Sequence, residues 1–162
     1  MKFRPVPICL SLALIACAIG LPISSAYAAN VWRAKMSGGF VTLRYGPLDE
    51  REKAPFLLSC LNGVGIAVLS VHRDFPAQQT GEAITIDFSA GDKTVPVAGE
   101  TAAEDGAGII YGEAGDIAVT PILDVLKTDG PVTMKSGANA IELSPLGRAE
   151  PVAEFDKNCA LD

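Results

Sequence analysis

Residues 55–72 read PFLLSCLNGVGIAVLSVH, two apolar runs separated by Asn62-Gly63. Asn-Gly between two such runs is a strong short-range signal for a β-hairpin with a two-residue turn. That turn predicts three facing pairs on one wholly apolar face: Phe56 with Leu69, Leu58 with Ala67, and Cys60 with Gly65. The opposite face is only partly polar, because it carries Leu57 and Val68. We therefore expect this hairpin to lie centrally in its sheet.

A second hairpin is predicted upstream, where Val31 to Met36 and Phe40 to Tyr45 flank a turn at Gly38-Gly39. Its apolar face consists of the pairs Met36–Val41, Ala34–Leu43 and Trp32–Tyr45. Its other face consists of the pairs Lys35–Thr42 and Arg33–Arg44. Two like charges directly opposed on neighbouring strands are unfavourable, so we expect an acidic group close to this second face.

The remaining chain alternates strands with glycine-rich and helical segments. Glu82 to Phe88 alternates as a half-buried strand does, and Thr94 to Ala98 is predicted as an edge strand because Pro96 cannot donate to a ladder. From Gly99 to Asp116 the composition is acidic and glycine-rich, which predicts a loop interrupted only by a short strand at residues 109–111. Another hairpin is expected around Ser136-Gly137, between Pro131 to Lys135 and Ala140 to Leu143.

Two short helices complete the prediction. The first is capped by Thr120, has Pro121 at its first position and ends at Gly130. The second runs from about Arg148 to Asn158, with an apolar face of Ala149, Val152, Phe155 and Cys159. The chain is therefore predicted as a single α+β domain over residues 29–162, mainly antiparallel β. The pattern leaves open whether its hairpins build a sandwich or a partly open barrel.

Residues 1–28 form the charged, apolar and small-residue sequence of a secretory signal peptide. Lys2 and Arg4 precede an apolar run, and Ala26-Tyr27-Ala28 supplies the cleavage site. The run is too short, and too interrupted by glycine and proline, to be a stable membrane span. An alternative is a lipoprotein signal in which Cys17 becomes the lipidated N-terminus, although the residues after it are apolar rather than polar. We expect an exported, periplasmic protein.

Cleavage would leave two of the four cysteines, Cys60 and Cys159. Two cysteines in an exported chain predict one disulfide bond, which would close a loop of about 100 residues. Metal or redox chemistry is the alternative, but no C-x-x-C spacing occurs and His72 is the sole histidine. The sequence therefore indicates neither a metal site nor a cofactor.

Removing the leader also removes Lys2 and Arg4, which leaves 11 basic and 19 acidic residues and changes the net charge from -6 to -8. Such acidity argues against nucleic-acid binding, which requires a cationic surface. Against this background Arg33, Lys35 and Arg44 form a cationic face on one hairpin. Two interpretations remain open: a binding patch for an acidic partner, or neutralisation by nearby carboxylates, for instance those of Asp87 or Glu142.

No complete catalytic set is found in the sequence. There is no G-x-S-x-G, and His72 is predicted to lie at the end of an apolar strand. Four loop acids could serve a carboxylate-dependent hydrolase or a calcium site, although the calcium-loop spacing is missing. They are Glu104, Asp105, Glu113 and Asp116. The simpler interpretation is a solvated acidic loop with no catalytic residue.

The order Trp32, Tyr45-Gly46, Ser59-Cys60, Gly81 and Phe155 to Cys159 resembles that of small exported β-rich proteins of Gram-negative bacteria without assigned activity. More distantly, it is similar to exported accessory proteins of type VI secretion that join a strand cysteine to a C-terminal one. The resemblance spans most of the mature chain, implies a periplasmic, non-enzymatic module and carries over no functional residue except the paired cysteines. We therefore expect a domain that binds a protein or cell-envelope partner. The alternative is an inhibitor of a basic envelope-directed enzyme such as lysozyme.

Overall fold

The computed structural model describes residues 29–72, 79–104 and 109–159. The predicted leader, including Cys17, lies outside the described residues. The described chain contains nine strands and two helices. The strands are β1 (Val31–Ser37), β2 (Phe40–Gly46), β3 (Phe56–Leu61), β4 (Ile66–Val71), β5 (Ala83–Ala90), β6 (Lys93–Ala103), β7 (Ile110–Ala118), β8 (Val132–Ser136) and β9 (Asn139–Leu143). The helices are α1 (Val119–Leu126), between β7 and β8, and α2 (Ala149–Cys159), after β9.

The strands form one curled antiparallel sheet, a half-barrel with the order β1-β2-β3-β4-β7-β6-β5-β8-β9. This confirms the predicted α+β class, mainly antiparallel β with two helices. Of the two forms left open by the sequence, the described strands adopt the single curled sheet rather than two stacked sheets. The β1–β2 register also matches the prediction at every pair.

The core fills the inner, concave face of the sheet, where alternate strand residues meet the apolar sides of both helices. Its largest completely buried side chains include Phe56, Phe88 and Phe155. Trp32 packs beside them, and its indole Nε1 donates a hydrogen bond of 2.6 Å to the carbonyl of Ser144, just beyond β9. Because β1 and β9 are the two edges of the sheet, this bond ties one edge to the chain leaving the other.

The β3–β4 register is two residues away from the prediction: Leu58 pairs with Leu69, and Cys60 pairs with Ala67. The connection spans four residues, 62–65, rather than the expected Asn62-Gly63 alone. Gly63 and Gly65 both adopt positive φ, and their N–H groups donate to the carbonyls of Asn158 and Cys159 at the end of α2. Glycine adopts this conformation without steric cost, so the helix end selects the longer turn. A shift of two residues keeps every side chain on its predicted face.

The segment predicted as an acidic glycine-rich loop is mostly strand. β6 continues to Ala103, and β7 begins at Ile110. At Gly99 a Cβ would lie 2.4 Å from the Glu113 carbonyl oxygen, so glycine permits the close approach of the two strands. β6 is consequently an inner strand, in contrast to the expected edge. Its pairing with β7 covers only Glu100 to Ala103, so Pro96 still lies where β6 has just one neighbour.

Both helices are present, with α1 shifted toward the N-terminus. α1 begins at Val119, and its N-cap is Ala118, which has no side-chain capping bond, instead of the predicted Thr120. α2 buries Val152, Phe155 and Cys159 and packs against β1 and β2. The predicted disulfide joins Cys60 of β3 to Cys159, with 5.7 Å between their Cα atoms.

Candidate functional site

The outer, convex face of the sheet is the surface that the core leaves uncovered. Along β2, β3 and β4 the buried positions alternate with half-buried or exposed ones, and both helices pack on the inner side. We call the other side the outer face. It carries the predicted cationic residues, the chain's single histidine and a row of apolar side chains.

The β2–β3 loop, residues 47–55, folds over the cationic face. Glu50 of this loop lies 2.9 Å from Lys35 Nζ and 3.7 Å from Arg33 Nη1. Arg44 donates to the main-chain carbonyls of Pro47 and Glu52. The hydrogen bond from Lys35, together with its charge, lowers the pKa of Glu50. The three cations therefore hold a loop of their own chain.

The acidic neighbour expected for the opposed arginines is Glu50. Neither of the carboxylates suggested from the sequence has this role. Asp87 lies opposite Lys135 and Pro96, and Glu142 lies opposite Thr133. Both belong to strands at the other end of the sheet order. The pairing of Arg33 with Arg44 is thus offset locally, and binding of an acidic partner at this face stays a prediction.

A polar cluster occupies the outer face of β4 and β7. The His72 imidazole stacks on the Tyr111 ring, with 4.8 Å between ring centroids. The Tyr111 hydroxyl donates to Glu113 Oε2 at 3.4 Å, and Lys53 from the β2–β3 loop forms an ion pair with Glu104. The strand order brings these five residues together, because β4 pairs with β7 and not with β5.

The four loop acids are only partly brought together. Glu104 and Glu113 belong to the polar cluster, whereas Asp116 is exposed on β7 with φ of 52°. Asp105 lies outside the described residues. Glu113 also faces Glu100 across β6 and β7, beside a shallow depression of about 360 Å³ that includes Gly99. Like charges in such a position repel each other, which leaves this part of the outer face distinctly anionic.

Two buried polar atoms of the cluster, His72 Nδ1 and Glu104 Oε2, have no hydrogen-bond partner within the part of the chain that the structure describes. A Ser-His-Asp triad requires the imidazole Nδ1 to be oriented by a carboxylate. No carboxylate of the described residues accepts a hydrogen bond from His72 Nδ1. Among residues 29–72, 79–104 and 109–159, no group of three or more metal-ligating side chains is placed to hold an ion, and neither helix has the length and hydropathy of a membrane span.

The state of His72 leads to a pH prediction. Burial lowers its pKa below 6.5, Lys53 lowers it further, and Glu104 and Glu113 partly oppose these effects. The unfolded chain therefore takes up a proton at a higher pH than the folded chain does. We expect the free energy of unfolding to be at its full value above about pH 6.5, and to fall as the pH drops through the lower folded pKa.

Urea titrations at a series of pH values between about 7 and 5 would measure this slope. The matched variant is His72→Gln, which keeps a polar side chain and cannot titrate. It should lose the slope over this range while the wild type retains it. Equal slopes in both proteins would contradict the assignment to His72.

An apolar row crosses the outer face near the start of β4, at the opposite end of this strand from the polar cluster. Phe40 of β2 pairs with Leu61 of β3, and the β3–β4 turn connects Leu61 to Ile66. Val68 follows two positions along β4. Their side chains are 51%, 49%, 47% and 40% exposed in the order Phe40, Leu61, Ile66 and Val68. Single exposed apolar residues are common, whereas a contiguous row is typical of an interaction surface.

The sequence indicated the cationic face but neither the polar cluster nor the apolar row. His72 and Tyr111 are far apart in the chain, and only the non-sequential pairing of β4 with β7 brings them into contact. The alternation of Phe40, Leu61 and Ile66 with buried neighbours was visible. However, alternation alone does not show which face remains uncovered.

Comparison of the chain with protein-family models, with curated proteins and with solved structures found no match.

Proposed function

We propose that this protein is an exported, non-enzymatic domain that binds a protein or cell-envelope partner through its outer face. The observation that carries the proposal is the apolar row, in which Phe40, Leu61, Ile66 and Val68 each leave 40–51% of their surface exposed. Displacing water from such a row is favourable in association, by about 25 cal/mol for each Å² of apolar surface buried. The non-enzymatic part rests on the sequence, in which no complete catalytic set is found.

The favoured partner is a protein with a basic and partly apolar surface. Arg33, Lys35 and Arg44 are held by the β2–β3 loop, while Glu100 and Glu113 lie opposite each other and form no ion pair with a cation of the described residues. A basic partner would relieve the repulsion between these carboxylates. Complementary charge of this kind mainly raises the association rate and the specificity.

Export to the periplasm is proposed on two grounds. The first 28 residues have the pattern of a signal peptide. The Cys60–Cys159 disulfide is typical of an oxidising compartment. The mass of the protein recovered from cells would measure leader cleavage, lipidation at Cys17 and disulfide formation together.

A second candidate function is inhibition of a basic envelope-directed enzyme such as lysozyme. It is favoured by the Glu100–Glu113 pair, which places two carboxylates side by side along the depression that includes Gly99. An anionic surface of this kind complements the positive surface of such an enzyme.

Binding would be tested by cross-linking the protein to a periplasmic and envelope fraction. The Phe40→Ser, Ile66→Ser double variant should lose at least about 90% of any specific cross-linked product, because it removes the apolar side chains on both sides of Leu61. Leu146→Ser is the matched control, since it removes a more exposed leucine that lies outside the row. Products that persist in the double variant, or that disappear equally in the control, would reject the outer face as the binding surface.

The inhibitor alternative has its own readout, the rate at which lysozyme clears bacterial cell walls in the presence of the purified protein. Inhibition is expected to weaken steeply with salt and to be lost in the Glu100→Lys, Glu113→Lys variant. A rate unchanged by a large excess of the wild-type protein would reject this function and leave the general binding role standing.

A further inference from the structure

A groove of about 450 Å³ lies between the end of α1 and one side of α2, away from the outer face. One wall is the α2 face that carries Ala149, Val152, Ala153 and Asp156, at spacings of three, one and three residues. The other wall is the turn that follows α1, from Leu126 to Gly130. The volume lies within the range of small-molecule binding sites.

Arg148 is the unusual member of the groove lining. It is only 4% exposed, yet no carboxylate of the described residues lies within ion-pair distance of its guanidinium. Its Nη2 donates to the carbonyls of Thr128 and Gly130, and so fixes the turn after α1. These two bonds occupy Nη2, one of the two terminal amino groups of the guanidinium. The other, Nη1, is buried and has no hydrogen-bond acceptor among residues 29–72, 79–104 and 109–159.

Such an arrangement is costly for the free protein. A buried charge is normally paired, because burial removes the water that stabilises it. Burial lowers the pKa of Arg148, and Asp129 offsets this only in part. An unsatisfied buried donor adds a further cost, which an anion entering the groove would remove.

The other charged residues that line the groove also favour an anion. Lys127, Arg148 and Lys157 supply three positive charges, against two negative charges from Asp129 and Asp156. Asp156 is already engaged, since it forms an ion pair with Lys127 at 2.7 Å. The groove therefore has a cationic excess on a protein whose net charge is negative.

Beside the charges, the groove presents apolar surface. Leu126 of α1 and Val152 of α2 form its floor and are almost completely buried, and Pro145 and Ala153, which are both exposed, also line it. A ligand that matches both features has one acidic group and an apolar body.

We propose that this groove binds small apolar carboxylates, with the carboxylate paired to Arg148 and the apolar part against the exposed residues Pro145 and Ala153. The site is independent of the outer face and of the function proposed for it. Two sources share the required chemistry: a free short-chain fatty acid and the C-terminal carboxylate of a peptide ending in an apolar residue. Nη1 is covered by neighbouring atoms, so side chains of the floor are expected to move when the carboxylate enters.

The test is an NMR titration of the purified full chain with hexanoate and with N-acetyl-leucyl-leucine, each compared with its uncharged amide. Both acids should give saturable shifts concentrated in residues 126–130 and 148–157. Each should bind at least about tenfold more tightly than its amide, since an Arg–carboxylate pair contributes a charge-assisted hydrogen bond. The tighter of the two acids identifies the source.

Two variants make the result specific to the groove. Ala153→Phe places a ring in the groove from an exposed helix position and should weaken binding by at least about tenfold. Glu154→Phe adds the same ring at the next exposed position, which does not line the groove, and should bind like the wild type. Arg148→Gln should abolish the preference for acid over amide. If that variant does not fold, the Ala153 and Glu154 pair still decides the outcome.

The proposal is overturned if the acids and amides bind equally, if no titration saturates, or if the shifts lie outside the two ranges. Undiminished binding by Ala153→Phe would overturn it as well. None of these outcomes bears on the outer face, which the titration does not involve.

Discussion

Replacing Cys60 and Cys159 together with alanine is expected to lower the free energy of unfolding by about 4–5 kcal/mol, the largest effect predicted for this protein. The two cysteines are separated by 99 positions, so the bond closes a loop that includes most of the described chain. In the chain-entropy model a loop of about this length restricts the unfolded state by nearly 5 kcal/mol. Both cysteines are completely buried, and alanine avoids burying a hydroxyl there.

Urea unfolding of the double variant and of the wild type, each with and without dithiothreitol, would measure the effect. The reductant should destabilise the wild type and leave the variant unchanged. Equal urea midpoints for the oxidised wild type and the variant would contradict this prediction. They would show that the disulfide does not stabilise the fold through loop entropy, as expected if the unfolded chain retains residual structure.

Phe155→Ala is the second large effect, with an expected loss of about 3–5 kcal/mol. Phe155 is completely buried, and its only buried companions on α2 are Val152 and Cys159. The helix packs against β1 and β2, and the ring is the largest side chain that this helix buries. Its removal leaves a cavity that the tethered helix cannot fully close.

Glu154→Ala is the matched control, since the neighbouring side chain is exposed and its loss should change the stability by no more than about 0.5 kcal/mol. The fluorescence of Trp32, the single tryptophan, gives a second readout. Its indole bonds to Ser144, a few residues before α2, so a displaced helix should alter its environment. A change in stability below about 1 kcal/mol for Phe155→Ala would contradict the anchoring role.

The hairpins could be predicted from the sequence because they depend on local information. Turn residues and alternating hydrophobicity specify the β1–β2 register, and Gly38 and Gly39 both adopt the positive φ that a two-residue turn of this kind requires. The β3–β4 register was wrong by two residues for a non-local reason. The N–H groups of Gly63 and Gly65 bond to α2, nearly a hundred residues away.

Less of the candidate site could be predicted. Side chains of a strand alternate between its two faces, so the sequence pattern shows that Arg33, Lys35 and Arg44 share a face. It does not show that the β2–β3 loop returns over them with Glu50. Loop conformations depend on partners distant in sequence, and so do the polar cluster at His72 and the groove at Arg148. Buried arginine is rare, and the sequence does not indicate that the side chain of Arg148 is buried.

The strand order has a consequence for how the molecule reaches its native state. Most pairings join strands adjacent in the chain, and such hairpins form within microseconds. The β4–β7 pairing instead closes a long loop that contains the β5–β6 hairpin, and closing this loop costs conformational entropy. Until then β4 is a free edge bearing the exposed Ile66 and Val68. The docking of β7 therefore sets the time during which the nascent β1–β4 meander is open to aggregation.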